Sequence, residues 1–140
     1  MLFRSGVDVS NVVGAGAAGG LAGGLVALGA RLVPGFEMVA DEMNLHDRLR
    51  AADLVITGEG RLDDTSFDGK VIGGLTELCH AEGKPIAAIV GTLDIDDESI
   101  AAPSPIKVIG DLYGVERAMR EPLWCIEHAA LDLLSDVNPN

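Results

Sequence analysis

Positive charge is scarce in this chain: ten Lys and Arg stand against 22 Asp and Glu, a net charge of -12. A bulk negative field repels DNA, RNA and anionic membrane surfaces, which argues against nucleic-acid or membrane partners. Aromatic residues are equally sparse at 4%, so the core must be built from Ala, Val, Leu and Ile. Cysteine is confined to Cys79 and Cys125. They lie far apart in apolar stretches without CxxC spacing, which predicts buried free thiols, a cytoplasmic protein and no metal site. No GK[ST] follows the glycine-rich run near the amino terminus, so a P-loop is excluded, and no GxSxG occurs. His46, His80 and His128 share no metal-ligand spacing. The acidic run Asp94, Asp96, Asp97, Glu98 lacks the glycine that a calcium loop needs, because Ser99 stands there.

What the chain has is apolar residues and glycine. Hydrophobic residues make up 48% of 140 residues, with 18 glycines, enough for one packed domain. The uncharged run Val12 to Ala30 approaches the length of a membrane span. Its glycines dilute it and no aromatic belt flanks it, so it reads as a helix over about 17–32 packed closely on a sheet. Pro34-Gly35 ends it. Helical periodicity follows over 36–44, with Phe36, Val39, Ala40 and Met43 on one face, and again over 45–52.

Leu54 to Thr57 reads as a strand feeding a glycine-bracketed turn, Gly58-Glu59-Gly60-Arg61. A helix over 69–82 follows, with Val71, Leu75, Leu78 and Cys79 inward. Strands are expected over 86–90 and 106–109. Their continuous apolar runs suit parallel strands buried on both faces. A last helix spans 115–137, with Ala118, Met119, Ile126, Ala130, Leu133 and Leu134 on one stripe and a kink or restart at Pro122. The pattern predicts an α/β fold with a mainly parallel sheet and a glycine-rich helix. It divides into a glycine-rich helical segment, 1–52, and an α/β segment, 53–140.

Two motifs carry chemistry. Gly14, Gly16 and Gly19 form GxGxxG, extended by Gly20, where glycine backbone can approach a phosphate. As a dinucleotide fingerprint it lacks a clear preceding strand and a distal acid, and glycine-mediated helix packing explains it as well. The second motif runs from Leu54 to Lys70. A structural turn needs Gly58 and Gly60 but not Glu59, Arg61, Asp63 and Lys70 together. Arg61 and Lys70 suit anionic oxygens, and Glu59 or Asp63 suits a hydroxyl proton or Mg²⁺. A surface ion pair of Glu59 with Arg61 is the plain alternative. Lys70 at a helix start works against the helix dipole.

GAGAAGG, then TGEGRLD, then Gly69-Lys70, then a strand ending in Gly91 resembles the bacterial glycerate kinases. The resemblance implies transfer of the γ-phosphoryl of ATP to a hydroxyl of D-glycerate, with Mg²⁺. It implies Glu59, Arg61, Asp63 and Lys70 as catalytic residues, and Gly14, Gly16, Gly19, Gly20, Gly58, Gly60 and Gly69 as ligand-contacting backbone. The family usually reads D-x-Q-[ST]-x-x-G-K after this turn. Here Thr65 replaces Gln and Asp68 replaces the common His, so neither is carried over. Members of the family are longer and have two α/β domains, one of them flavodoxin-like; this chain resembles their carboxyl-terminal part, and the resemblance implies a partial flavodoxin-like or Rossmann-like unit. Exposed apolar edges are therefore expected, covered by the missing amino-terminal part or by a second copy. The rival readings are a non-catalytic remnant that acts by association and a Rossmann-type nucleotide-binding module.

Overall fold

The computed structural model describes residues 6–98 and 100–137, which fall into two compact units, 1–34 and 35–140. The first unit holds a 3₁₀ turn, Ala17–Gly20, and one short helix, α1 (Leu21–Ala27). The helix expected over 17–32 is thus far shorter. Ala18, Gly19 and Gly20 adopt positive φ, and Gly29 does so again beyond the helix end, so left-handed backbone interrupts the helix at both sides. Gly23 is buried in α1, where an added Cβ would meet the Ala15 carbonyl oxygen at 3.0 Å.

The second unit contains α2 (Gly35–Glu42), α3 (Leu45–Ala51), β1 (Val55–Asp63), α4 (Val71–Ala81), β2 (Ile86–Asp94), β3 (Ile106–Val108), α5 (Ile109–Tyr113), α6 (Val115–Arg120) and α7 (Pro122–Val137). The strands form a three-stranded, all-parallel sheet in the order β1-β2-β3. Its first residues, Ile86 to Val90 of β2, are all buried, as a central strand covered on both faces requires. Ala87 and Ile89 pack with Ile109, Cys125, Ala129 and Leu133 under α5 and α7. Ala88 and Val90 pack with Leu62 and Ile72, and Ile86 packs with Leu49 and Cys79, under α3 and α4. The unit is therefore an α/β layer structure with helices on both faces of a parallel sheet.

Three corrections concern the strands and their exits. β1 does not turn at Gly58: it runs on to Asp63, paired with β2 from Val55↔Ile86 to Asp63↔Asp94. The glycines are there because the strands touch. A Cβ on Gly58 would sit 2.2 Å from the Ile89 carbonyl oxygen, and one on Gly91 would sit 2.3 Å from that of Gly60. Val55 and Leu62 both pack on the α4 side although they lie seven positions apart, an odd step that places side chains on opposite faces of a regular strand. The pleat therefore slips by one residue between them, in the glycine-bearing stretch. β3 ends at Val108 and α5 starts at Ile109, a helix that apolar patterning had hidden.

The expected last helix is two helices broken at Glu121, with Pro122 as the first residue of α7, where its missing N–H costs nothing. The restart shifts the inward stripe to Cys125, Ala129 and Leu133, and leaves Met119, Ile126 and Leu134 exposed. In α4 the buried set is Ile72, Gly73, Thr76 and Cys79, while Val71 is exposed. Both cysteines are buried and free, as expected. The α3 terminus is tied down from two directions. Lys84 Nζ donates to the carbonyls of Arg50 at 2.8 Å and Ala52 at 2.9 Å, and Arg50 forks onto both oxygens of Glu82 at 3.2 Å.

Candidate functional site

Parallel α/β sheets present ligand sites at the carboxyl ends of their strands. Here β1 carries Glu59, Arg61 and Asp63 out to that end, and a 3₁₀ turn, Asp64–Phe67, leads from it to α4. The turn is locked by reciprocal bonds. The Ser66 hydroxyl accepts from the Asp63 N–H at 3.1 Å, and Asp63 Oδ1 accepts from the Thr65 N–H at 3.0 Å. Ser66 is buried at 1% exposure, so a polar side chain in the core is satisfied by holding this turn.

The side chains beyond the turn form one connected charged row. Lys70 Nζ donates to Thr65 Oγ1 at 2.7 Å, and Thr65 Oγ1 donates to Asp63 Oδ1 at 2.7 Å. Asp63 Oδ2 lies 3.5 Å from Arg61 Nε, and the Arg61 Nη2 end pairs with Asp94 at the end of β2. The hydrogen bond from the Thr65 hydroxyl is the main reason that the Asp63 carboxyl is held below its usual pKa. The Thr65 N–H, Arg61 and Lys70 push the same way, and partial desolvation opposes them. Asp64 faces the other way: its Oδ1 accepts from the N–H of Asp96 at 3.1 Å and of Asp97 at 3.4 Å, tying the acidic loop to the turn.

Glu59 is different in kind. It is half-buried, and its Oε1 is fully covered with no hydrogen-bond partner among the described residues. The alternative reading of a Glu59–Arg61 surface pair does not hold among the described residues: Arg61 goes to Asp63 and Asp94 instead. A covered carboxylate oxygen without a donor is costly, which makes it a ready acceptor for a ligand or ion. Two cavities meet at Gly58 and Glu59. One, of about 590 Å³, lies over a floor of bare backbone at Gly58, Gly60, Gly91 and Gly110, with Met119 and Ile126 above it. The other, of about 740 Å³, lies between α2 and α4, with Phe36, Val39 and Leu75 in its wall and Lys70 in its lining. Both fall in the size range of small-molecule sites.

The structure thus gathers Gly58, Glu59, Gly60, Arg61, Asp63, Gly69 and Lys70 into one neighbourhood. Gly14, Gly16, Gly19 and Gly20 belong to the first unit. There the N–H groups of Ala17 and Gly20 are already given to the carbonyls of Gly14 and Gly16, and no strand leads into the run among the described residues. The strand-turn-helix geometry of a dinucleotide fold is therefore not present there. Sequence reasoning missed Thr65, Ser66 and Asp94. Asp63 with Ser66 three residues on is a capping-box spacing and was readable; Thr65 and Asp94 become partners only through the turn and the strand register. Asp68 is exposed. Among the described residues no group of three or more His, Cys, Asp or Glu is arranged to hold a metal, and no helix is long and apolar enough to cross a membrane.

A family model described as the glycerate kinase family matches residues 2–137. A protein named glycerate kinase from Halalkalibacterium halodurans is 36% identical over 132 residues, covering 91% of this chain and 35% of the relative. The Escherichia coli protein named glycerate 2-kinase is 46% identical over 91 residues, 64% of this chain and 24% of the relative. A glycerate kinase from Haemophilus influenzae is 41% identical over 117 residues, 79% of this chain and 31% of the relative. The chain spans about a third of the length of the curated relatives it matches.

Proposed function

The chain belongs to the glycerate kinase family, and on that footing we propose that its β1 end forms one wall of a site where the γ-phosphoryl of ATP passes to a hydroxyl of D-glycerate. The bond from phosphorus to the ADP oxygen breaks, a bond to the glycerate oxygen forms, and the hydroxyl proton passes by way of the Asp63 carboxylate to solvent. Such transfer asks a protein for positioning and charge neutralisation more than for covalent chemistry. The observation that carries the reading is the row Lys70–Thr65–Asp63–Arg61–Asp94: two cations held at a strand end by polar groups that leave them partly exposed.

Arg61 takes the glycerate carboxylate, because a guanidinium fork matches a carboxylate in the plane. To do so it exchanges Asp94 for the ligand. Asp63 stays ionised, held so by Thr65 and Arg61, and its Oδ2 orients the acceptor hydroxyl beside that guanidinium. Lys70 meets phosphate oxygens. Mg²⁺ is bound in sites of this kind by one or two carboxylates plus substrate phosphates rather than by a protein cage, and the uncommitted Oε1 of Glu59 is the donor that fits it. The ion would neutralise phosphate charge. The glycine floor and apolar walls of the two cavities keep water from the phosphoryl group.

The test is ADP release by the purified chain, with and without D-glycerate, for wild type and Arg61→Ala. The expected result is glycerate-dependent release that falls about a hundredfold in the variant, the scale for loss of one charge-stabilising group. Unchanged kinetics would remove Arg61 from the mechanism. Wild-type chain that binds Mg·ATP but turns nothing over favours a non-catalytic module that works by association.

A further inference from the structure

Lys70 is an awkward residue for its position. It stands at the N-cap of α4 with no side-chain capping bond, where the helix dipole disfavours a cation. A free lysine side chain also samples many rotamers, and fixing them when a ligand binds costs affinity. Here one hydrogen bond restrains that freedom. The ammonium donates to Thr65 Oγ1 at 2.7 Å. The hydroxyl has one proton, and it goes to Asp63 Oδ1 at 2.7 Å, which leaves its lone pairs to Lys70. The Thr65 backbone N–H donates to the same Asp63 oxygen at 3.0 Å, so both ends of Thr65 are fastened to one carboxylate. The turn that carries it is fixed by the core-buried Ser66. The chain of donors runs one way, from cation through hydroxyl to anion, and its anchor reaches the protein interior.

We propose that Thr65 is a positioning residue for anion binding: its hydroxyl holds the Lys70 ammonium at the α2–α4 cavity, with further N–H donors free for a phosphate oxygen. The proposal rests on the reading of Lys70 as a phosphate contact, and it adds the residue that sets where that contact is made. Thr65 touches no reacting atom; it acts through Lys70. Serine keeps the hydroxyl and so keeps the function. Valine keeps the shape and the backbone bond to Asp63 but removes both side-chain hydrogen bonds.

The lysines of the chain are Lys70, Lys84 and Lys107, so ¹⁵N-lysine labelling gives a short Nζ spectrum, assigned with Lys70→Gln. Thr65→Val should move the Lys70 Nζ signal and speed its proton exchange, while Thr65→Ser leaves both near wild type. Calorimetry with Mg·ATP should then give about tenfold weaker binding for Thr65→Val and a change within about twofold for Thr65→Ser, the scale of one charge-assisted hydrogen bond. Adding Thr65→Val to Lys70→Gln should weaken binding no further, because both act on one contact. A Lys70 Nζ signal that ignores Thr65→Val overturns the proposal, whatever the chain binds. So does a Thr65→Val protein that binds Mg·ATP as wild type does while Lys70→Gln binds weakly. If Lys70→Gln itself binds normally, the phosphate reading of Lys70 has failed and the anion-binding role of Thr65 falls with it, whereas the kinase assay on Arg61 stands apart from both.

Discussion

β1 and β2 share one hydrogen-bonded ladder, yet their first and second halves are made for different purposes. From Ile86 to Val90, β2 is buried throughout, and Val55 opposite Ile86 packs in the same core. From Gly91 to Asp94 no residue of β2 is buried, and the paired stretch of β1 carries Arg61 and Asp63, with Glu59 at the boundary opposite Val90. Strand pairing is kept on both sides of the boundary, with Gly60 and Gly91 left out of the register between them; side-chain burial is not kept. The second halves therefore rely on the ladder and on a few pinning contacts, and that frees their side chains for a site. The cost is a dependence on glycine wherever the two backbones and the α5 start crowd together.

The sharpest way to break the comparison is Leu62→Ala. Leu62 is the exception in the outer half, fully buried against Ile72, Ala88 and Val90. Truncating a buried leucine costs about 2–5 kcal/mol, which urea unfolding would measure. If the outer half is pinned through Leu62, amide exchange at Gly60 to Asp63 should rise more than at Ile86 to Val90. Equal increases in both halves would mean the strands open as one unit and the division is only one of composition. Gly91→Ala comes next. Its Cβ would lie 2.3 Å from the Gly60 oxygen, and Gly110 in turn approaches the Gly91 oxygen. Overpacking of this kind costs about 1–3 kcal/mol. A melting temperature equal to wild type would show that the strands part easily and that glycine is not required there.

The inner half was legible in the sequence and much of the outer half was not. Unbroken apolar runs identified Ile86 to Val90 and the parallel sheet, because burial on both faces leaves no alternation to hide it. The outer half was misread as a turn because glycine after a short apolar run usually punctuates. In this pair it marks a close approach of two backbones, a tertiary fact that one strand does not reveal. The same holds for Thr65, which a departure from the family pattern set aside and the folded turn places between Asp63 and Lys70. The candidates Glu59, Arg61, Asp63 and Lys70 were legible as residue types at a strand end. Their division of labour was not, since the Arg61–Asp94 pair depends on strand register. Pro122 gave the break before α7, but the phase of its buried stripe restarts there and was read as if continuous.

Asp94→Asn tests the outer half as a site rather than as a support. Arg61 and Asp94 are both more than half exposed, so the pair is worth within about 1 kcal/mol of stability. Unfolding of Asp94→Asn should therefore nearly overlay that of wild type. Under the proposed role, the freed guanidinium should bind a small carboxylate or phosphate several-fold more tightly at low salt, with the gain fading as salt screens it. A variant that loses stability like a core mutant, or that binds anions no better, would mean that Asp94 holds the strand end together rather than holding Arg61 in reserve.

The smallest expected effect is on acid stability, and it compares the site with the α3 margin. Asp63 is held below its ordinary value of 3.8 chiefly by the Thr65 hydroxyl, and Glu82 below its ordinary 4.5 chiefly by the Arg50 fork. A carboxylate whose folded pKa is depressed adds stability that is fully present above its unfolded pKa and is lost as pH falls through the folded one. Both groups therefore contribute at neutral pH, and both contributions drain away below the ordinary carboxylate range. Thr65→Val removes the principal cause for Asp63 alone and leaves Glu82 untouched. Its stability should trail wild type at neutral pH and converge on it in acid, whereas Arg50→Gln should show the same convergence through Glu82. A Thr65→Val difference that stays constant from neutral to acid pH would show that the Thr65 hydroxyl acts on the fold of the turn and not on the charge of Asp63.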